Sequence, residues 1–301
     1  MPTSTATTSH RLVLDTGQRS SRRSWLGEPD GFWSGQRGGL DSSAGLTRRP
    51  WRERLRRALR EESFVLHYQP ILSLRDGAVD RYEALVRLDD DPDAPPLAPG
   101  AWLPAAERYG LIREIDRLVV SRAVGRLAEE LESDVSIAVN LSALSIVEEG
   151  MLAHVERELV RHCVAPERLT IEVTETAAIS DMACAVAFCR DAAALGCALA
   201  LDDFGVGFGS FHYLKLLPFS HLKIDGEFIR GLCSCAHDRL MVEALVGVAR
   251  GMGRRTVAEV VGDGATVELL RALGVDYAQG FHIGRPKPEI GWTPEIRCAR
   301  L

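Results

Sequence analysis

No apolar stretch of the 301-residue chain approaches the ~20 residues that a membrane-crossing helix requires, and the N-terminus lacks the apolar core of a secretory signal. A cytoplasmic protein without a membrane partner is therefore expected. Paired C-x-x-C spacing is missing too. The seven cysteines, at 163, 184, 189, 197, 233, 235 and 298, are odd in number and outline neither a disulfide framework nor a zinc knuckle. Basic residues are not in excess: 36 Lys and Arg against 42 Asp and Glu leave a net charge of −6. Sequence-independent binding to DNA or RNA needs clustered cations that release counterions, so a nucleic-acid polymer is not an expected partner. A polyanionic ligand would have to come with metal ions.

Two familiar nucleotide motifs fail as well. Asp203-Phe204-Gly205 spells the metal-binding triplet of protein kinases, but no His-Arg-Asp loop or Val-Ala-Ile-Lys strand accompanies it. Gly205-x-Gly207 begins a dinucleotide fingerprint whose third glycine would fall at Ser210, and no Gly-Lys-Ser/Thr phosphate loop follows. What remains is an apolar run over 198–201 that meets Asp202, Asp203 and a loop with glycines at 205, 207 and 209. It reads as a buried strand opening into a site, the alternative being a strand followed by a plain surface loop. Adjacent carboxylates in a dry setting need a cation or hydrogen-bond donors.

At 301 residues and 46% hydrophobic content the chain can bury a full core, and one α/β barrel of ~250 residues fits that length. Residues 1–50, rich in Ser, Thr, Gly and Arg with no sustained periodicity, are expected to be a disordered tail. A basic amphipathic helix over 51–62 begins the ordered part, residues 51–289, and residues 290–301 form a second tail. Apolar strands over 64–74 and 79–88 flank a turn at Asp76-Gly77, so the first two strands should be antiparallel neighbours. Helices and strands then alternate to residue 280, giving about eight strands. That pattern implies a parallel sheet closed into a modified (β/α)8 barrel with an antiparallel first strand; an open doubly wound sheet is the alternative.

Nearly every strand carries a polar group near its end: Glu83, Asn140, Glu172, Asp202 with Asp203, Lys223 with Asp225, Glu259 and Gln279. In a barrel these converge on one rim. Oxygen ligands without His or Cys select Mg²⁺ or Mn²⁺ over zinc or copper. The five carboxylates Glu83, Glu172, Asp202, Asp203 and Glu259 suit two such ions, a usual clamp for in-line displacement at phosphorus.

At this point the residues resemble a family. Tyr82-Glu83-Ala84-Leu85-Val86-Arg87 is similar to the signature of the EAL-domain cyclic di-GMP phosphodiesterases. The likeness continues in the family's order through His67-Tyr68-Gln69-Pro70-Ile71, Pro104-x-Ala106-Glu107, Asn140-Leu141-Ser142, Glu172-Val173-Thr174-Glu175, Asp202-Asp203-Phe204-Gly205, Lys223-Ile224-Asp225, Ala258-Glu259 and Gln279-Gly280-Phe281. It covers roughly residues 52–288.

The resemblance implies a modified barrel that linearises cyclic di-GMP to 5′-pGpG with two Mg²⁺ or Mn²⁺ ions. It makes Glu83, Asn140, Glu172 and Asp202 ligands of one ion, with Asp202 bridging to a second completed by Asp203 and Glu259. Glu259 and Lys223 are the implied catalytic pair, Glu259 as base and Lys223 either positioning the water or neutralising charge on the phosphoryl oxygens. Gln69, Leu85, Arg87, Asp225, Gln279 and Pro286 are the implied substrate contacts. Glu175 is implied to anchor the loop after the Asp202-Asp203 strand, through which a homodimer is expected.

The chain departs from the pattern in that loop, with Gly209 and Phe211 where the family has Ser and Leu. It departs again where Ala258-Glu259-Val260-Val261-Gly262 replaces Ala-Glu-Gly-Val-Glu. Val260 in place of glycine implies a backbone kept out of positive φ. Three function classes follow: an active phosphodiesterase, an inactive cyclic di-GMP receptor, and a protein-binding adaptor on the same barrel. The first is favoured, since every ligand position holds a suitable residue.

Overall fold

The structure, a computed structural model, describes residues 51–130, 134–174, 177, 181–205 and 211–291. Both expected tails lie outside or at the edge of these residues, as do Glu175 and the glycine loop at 206–210.

Eight strands close into a barrel in sequence order. The first, β1 (Phe64–Ser73), runs antiparallel to both neighbours, β2 (Arg81–Leu88) and β8 (Tyr277–Gln279). All other pairings are parallel: β2 with β3 (Ser136–Asn140), then β4 (Leu169–Thr174), β5 (Ala198–Phe204), β6 (His221–Ile224), β7 (Arg255–Ala258) and β8. The expected modified (β/α)8 barrel is thus present, and the open sheet is not.

The helices cover the outside. Helix α1 (Trp51–Arg60) precedes β1, and α2 (Leu103–Arg108) and α3 (Ile112–Glu129) lie between β2 and β3. Alternation of side chains along each strand sends one set outward under the helices and the other into the lumen. Outward-facing Ile137, Val139, Leu169, Ile171, Leu199 and Leu201 join Val120, Val124 and Leu127 of α3 in one apolar core. Inside the barrel a separate small cluster of Ile71, Val257 and Tyr277 fills the lumen below the polar layer.

Boundaries shift little from the sequence reading: the expected strand over 79–88 begins at Arg81, and the first helix ends at Arg60. Among the described residues two short α-helices escape that reading, α4 (Ala143–Ile146) after β3 and a five-residue turn of helix at Gly226–Arg230 after β6. Each starts at a side-chain cap, Ser142 accepting from Ser145 N and Asp225 from Glu227 N.

Candidate active site

A β-bulge assembles the centre of the site. Leu201 pairs with Leu222 and Phe204 with Ile224, so β5 spends one residue more than β6 across Asp202 and Asp203. Asp203 takes up the extra length in the left-handed region, at φ 55°. Strict alternation would have sent two adjacent side chains to opposite faces. The bulge instead lets Asp202, Asp203 and Glu259 present carboxylate oxygens within 4.8 Å of one another.

Glu259 follows β7 directly, its N–H donating to the Ile224 carbonyl at 3.2 Å. The next residue, Val260, has φ 56°. The expected avoidance of positive φ at this valine is therefore not what the chain does: the turn after β7 keeps its left-handed shape and the β-branched side chain bears the strain.

Lys223 stands at the centre, wholly buried, with its Nζ 2.7 Å from Glu172 Oε2, 2.7 Å from Glu259 Oε1, 3.0 Å from Asp202 Oδ1 and 3.5 Å from Glu83 Oε2. Glu83 is further held by two amides. Asn140 Nδ2 donates to its Oε1 at 2.6 Å and Gln279 Nε2 to its Oε2 at 2.6 Å. These bonds follow from register, since Gln69 lies opposite Glu83 across β1 and β2, Ile71 opposite Gln279, and Asn140 opposite Glu172.

Gln69 is fully buried; its Nε2 donates to the Gly284 carbonyl at 3.1 Å and its Oε1 accepts from Gln279 at 3.2 Å. Leu85 and Arg87 share a face with Glu83 by strand alternation and rise from it toward the mouth, both half-buried. Arg87 donates to the Val86 carbonyl at 2.9 Å. Pro286, also half-buried, lies in the segment after β8, where its backbone bonds His67.

Burial against like charge dominates the electrostatics. It lifts Glu172 and Glu259 well above the carboxylate range and raises Asp202, with Lys223 opposing each shift. Asp203 is pushed up to about 8, first by burial and next by the Asp202 charge, and it shares a hydrogen bond with Asp225. Burial would depress the Lys223 ammonium, but Asp202, Glu172, Glu259 and Glu83 outweigh it and hold it above the usual lysine value.

The donor set is oxygen only, which suits hard divalent cations. Both Glu259 carboxylate oxygens are buried without an aligned hydrogen-bond donor, although Oε1 is in charge contact with Lys223. Ionised together, the five acids would carry more charge than one ammonium balances, and divalent cations would supply the rest. The residues present thus fit divalent metal.

The EAL domain family model matches residues 52–286. Curated relatives include the bifunctional diguanylate cyclase/cyclic di-GMP phosphodiesterase MucR of Pseudomonas aeruginosa, 39% identical over 237 residues, 78% of this chain and 34% of that protein. The cyclic di-GMP phosphodiesterase PdeB of Shewanella oneidensis is 37% identical over 249 residues, 82% of this chain and 29% of that protein. The chain spans about a third of the length of these relatives.

Among solved structures, the PaMucR phosphodiesterase in complex with c-di-GMP superposes with a TM-score of 0.75 at 38% identity, covering 79% of this chain and 97% of that one. The FimX EAL domain from Pseudomonas aeruginosa bound to c-di-GMP gives 0.76 at 28% identity, covering 82% and 100%. A closed barrel with an inverted first strand, an acidic rim around one lysine, and a family match over most of its length together establish that this chain belongs to the EAL-domain family.

Proposed function

We propose that the protein hydrolyses cyclic di-GMP to linear 5′-pGpG with two Mg²⁺ or Mn²⁺ ions, acting in the cytoplasm. The observation that carries this reading is the bulge that joins Asp202 and Asp203 to Glu259, within reach of the Glu83, Glu172 and Lys223 cluster. It builds a dense oxygen-ligand site at the end of the barrel where the strands deliver their polar groups.

Glu83, Asn140, Glu172 and Asp202 would hold one ion, and Asp202, Asp203 and Glu259 the other. When bound, such ions lower the pKa of water and neutralise charge on the phosphoryl group. Asn140 donates its amide N–H to Glu83, so its carbonyl oxygen would be the ligand atom. Gln279 fixes the other Glu83 oxygen and is itself oriented by Gln69.

Attack by water forms a P–O bond as the P–O3′ ester bond breaks. Glu259 would accept the proton of that water, and the departing 3′-oxygen would take a proton from solvent to end as a hydroxyl. Lys223 offers its ammonium to the phosphoryl oxygens as charge builds there. Arg87 and Leu85, on the same strand face as Glu83, together with Asp225 and Pro286, would orient the dinucleotide at the mouth.

The test is incubation of purified protein with cyclic di-GMP and Mn²⁺, followed by chromatography. Release of pGpG supports the reading. Tight binding without product indicates a receptor, and neither outcome indicates an adaptor.

A further inference from the structure

Helix α3 carries an acid where its own pattern calls for an apolar side chain. Ile112, Ile115, Val119, Val120, Ala123, Val124 and Leu127 are buried, and Asp116, at 5% exposure, sits among them. A buried carboxylate persists where an acceptor is needed. Its Oδ2 accepts from Ser142 N at 2.9 Å and from Ser145 Oγ at 2.7 Å. Ser142 Oγ in turn caps α4, accepting from Ser145 N at 3.2 Å.

Resting on the metal-site reading above, we propose that Asp116 is a positioning residue of the site: it fixes the turn after β3 and so sets the direction of Asn140. The chain from Asn140 to Ser142 is held alternately from two sides. Asn140 pairs with Glu172 across the sheet, and Leu141 N donates to the Glu172 carbonyl at 3.0 Å. Ser142 is held by Asp116 from the helical layer. Further along, Arg113 Nε donates to the Leu144 carbonyl at 3.2 Å, and Arg117 lies 3.1 Å from Glu148. Of these three contacts from α3, the Asp116 bond falls nearest to Asn140, two residues away. Releasing it lets the end of β3 rotate, and the Asn140 amide loses the aim that its bond to Glu83 records.

Both bonds to Asp116 end on one oxygen, so an amide oxygen can replace it. The probe is Mn²⁺ binding by the full chain without substrate, read from the paramagnetic resonance of the free ion, for Asp116→Leu, Asp116→Asn and Ser145→Ala. Asp116→Leu should weaken Mn²⁺ about 10–100-fold. Asp116→Asn should stay within about threefold, and Ser145→Ala should fall about 2–10-fold, the range of one hydrogen bond.

In turnover assays the defect should shift the Mn²⁺ half-saturation point and spare kcat at saturating metal, whereas mere loss of folded protein would lower kcat alone. Wild-type affinity in Asp116→Leu or Ser145→Ala overturns the proposal, as does equal loss in Asp116→Asn and Asp116→Leu. If Asp116→Leu does not fold, Ser145→Ala decides. A wild-type chain that binds Mn²⁺ but leaves cyclic di-GMP intact would overturn the functional reading and leave this test standing.

Discussion

The isopropyl group of Val260 closes over Gly226, so that a Cβ built on that glycine would lie 2.7 Å from Val260 Cβ. The two turns that follow β6 and β7 are therefore shaped to each other. Gly226→Ala should destabilise the fold by about 1–3 kcal/mol, the usual effect of overpacking. Val260→Gly should leave the melting temperature at or above that of the parent, because relief of about 1–2 kcal/mol of left-handed strain offsets lost packing and added chain freedom. The double variant should recover most of the Gly226→Ala loss. Additive losses in thermal melts would show that the two residues do not share space.

Glu83→Ala or Asp202→Ala should abolish turnover and leave the barrel folded. Each removes an acid that repels its neighbours in the metal-free site. The loss should exceed the ~10–100-fold typical of residues that act one step from a metal. Gln279→Leu, which removes the amide bonded to Glu83, should fall within that smaller range. Near-normal rates in Glu83→Ala would contradict the ligand assignment.

Asp116 should make stability depend on pH. Burial raises its carboxyl from 3.8 to about 6, against the hydrogen bonds from Ser145 and Ser142 and with a smaller push from Glu107. A group raised in the folded state gives its full stabilisation below the unfolded value, here near pH 4, and loses it as pH rises through about 6. The span is on the order of 3 kcal/mol. Asp116→Asn, which cannot ionise, should lack this contribution, and its advantage over the parent should grow between pH 4 and pH 7 in denaturant melts. Parallel curves for the two proteins would refute it.

Mg²⁺ or Mn²⁺ should support hydrolysis, and Ca²⁺ should compete without doing so. Calcium takes 6–8 oxygens at 2.3–2.6 Å, whereas Mg²⁺ holds six at ~2.0–2.1 Å. In-line attack tolerates about 1 Å of misplacement only with losses near 10²-fold. Cyclic di-GMP binding and pGpG release, measured side by side in each metal, separate occupancy from chemistry. Full turnover in Ca²⁺, or turnover after exhaustive chelation, rejects the two-metal reading.

The barrel was legible because alternation of helix and strand is a long-range pattern, repeated too often for one ambiguous segment to hide it. The inverted β1 was legible from the turn at Asp76-Gly77 between two apolar runs. Acidic strand ends could be read as a set, since strand period fixes their side.

What escaped depends on contacts distant in sequence. The bulge at Asp202 and Asp203 is a mismatch between β5 and β6, and neither strand alone encodes it. Val260 obeys its turn rather than its own preference. Helices of four and five residues carry no periodicity, so Ala143–Ile146 and Gly226–Arg230 left no trace beyond their caps. The only hint of Asp116 was an acid on the apolar face of α3.

The ammonium of Lys223, ringed by Glu172, Glu259, Asp202 and Glu83, has a consequence for the order of events in the life of the chain. Acids converging in a closing barrel would push its strands apart, and a free cation would have to be captured before closure. A tethered counter-ion travels with β6 and arrives when the strands do. On the two-metal reading proposed above, the barrel would complete itself first and take up its ions afterward, which would make maturation and ion supply separable steps.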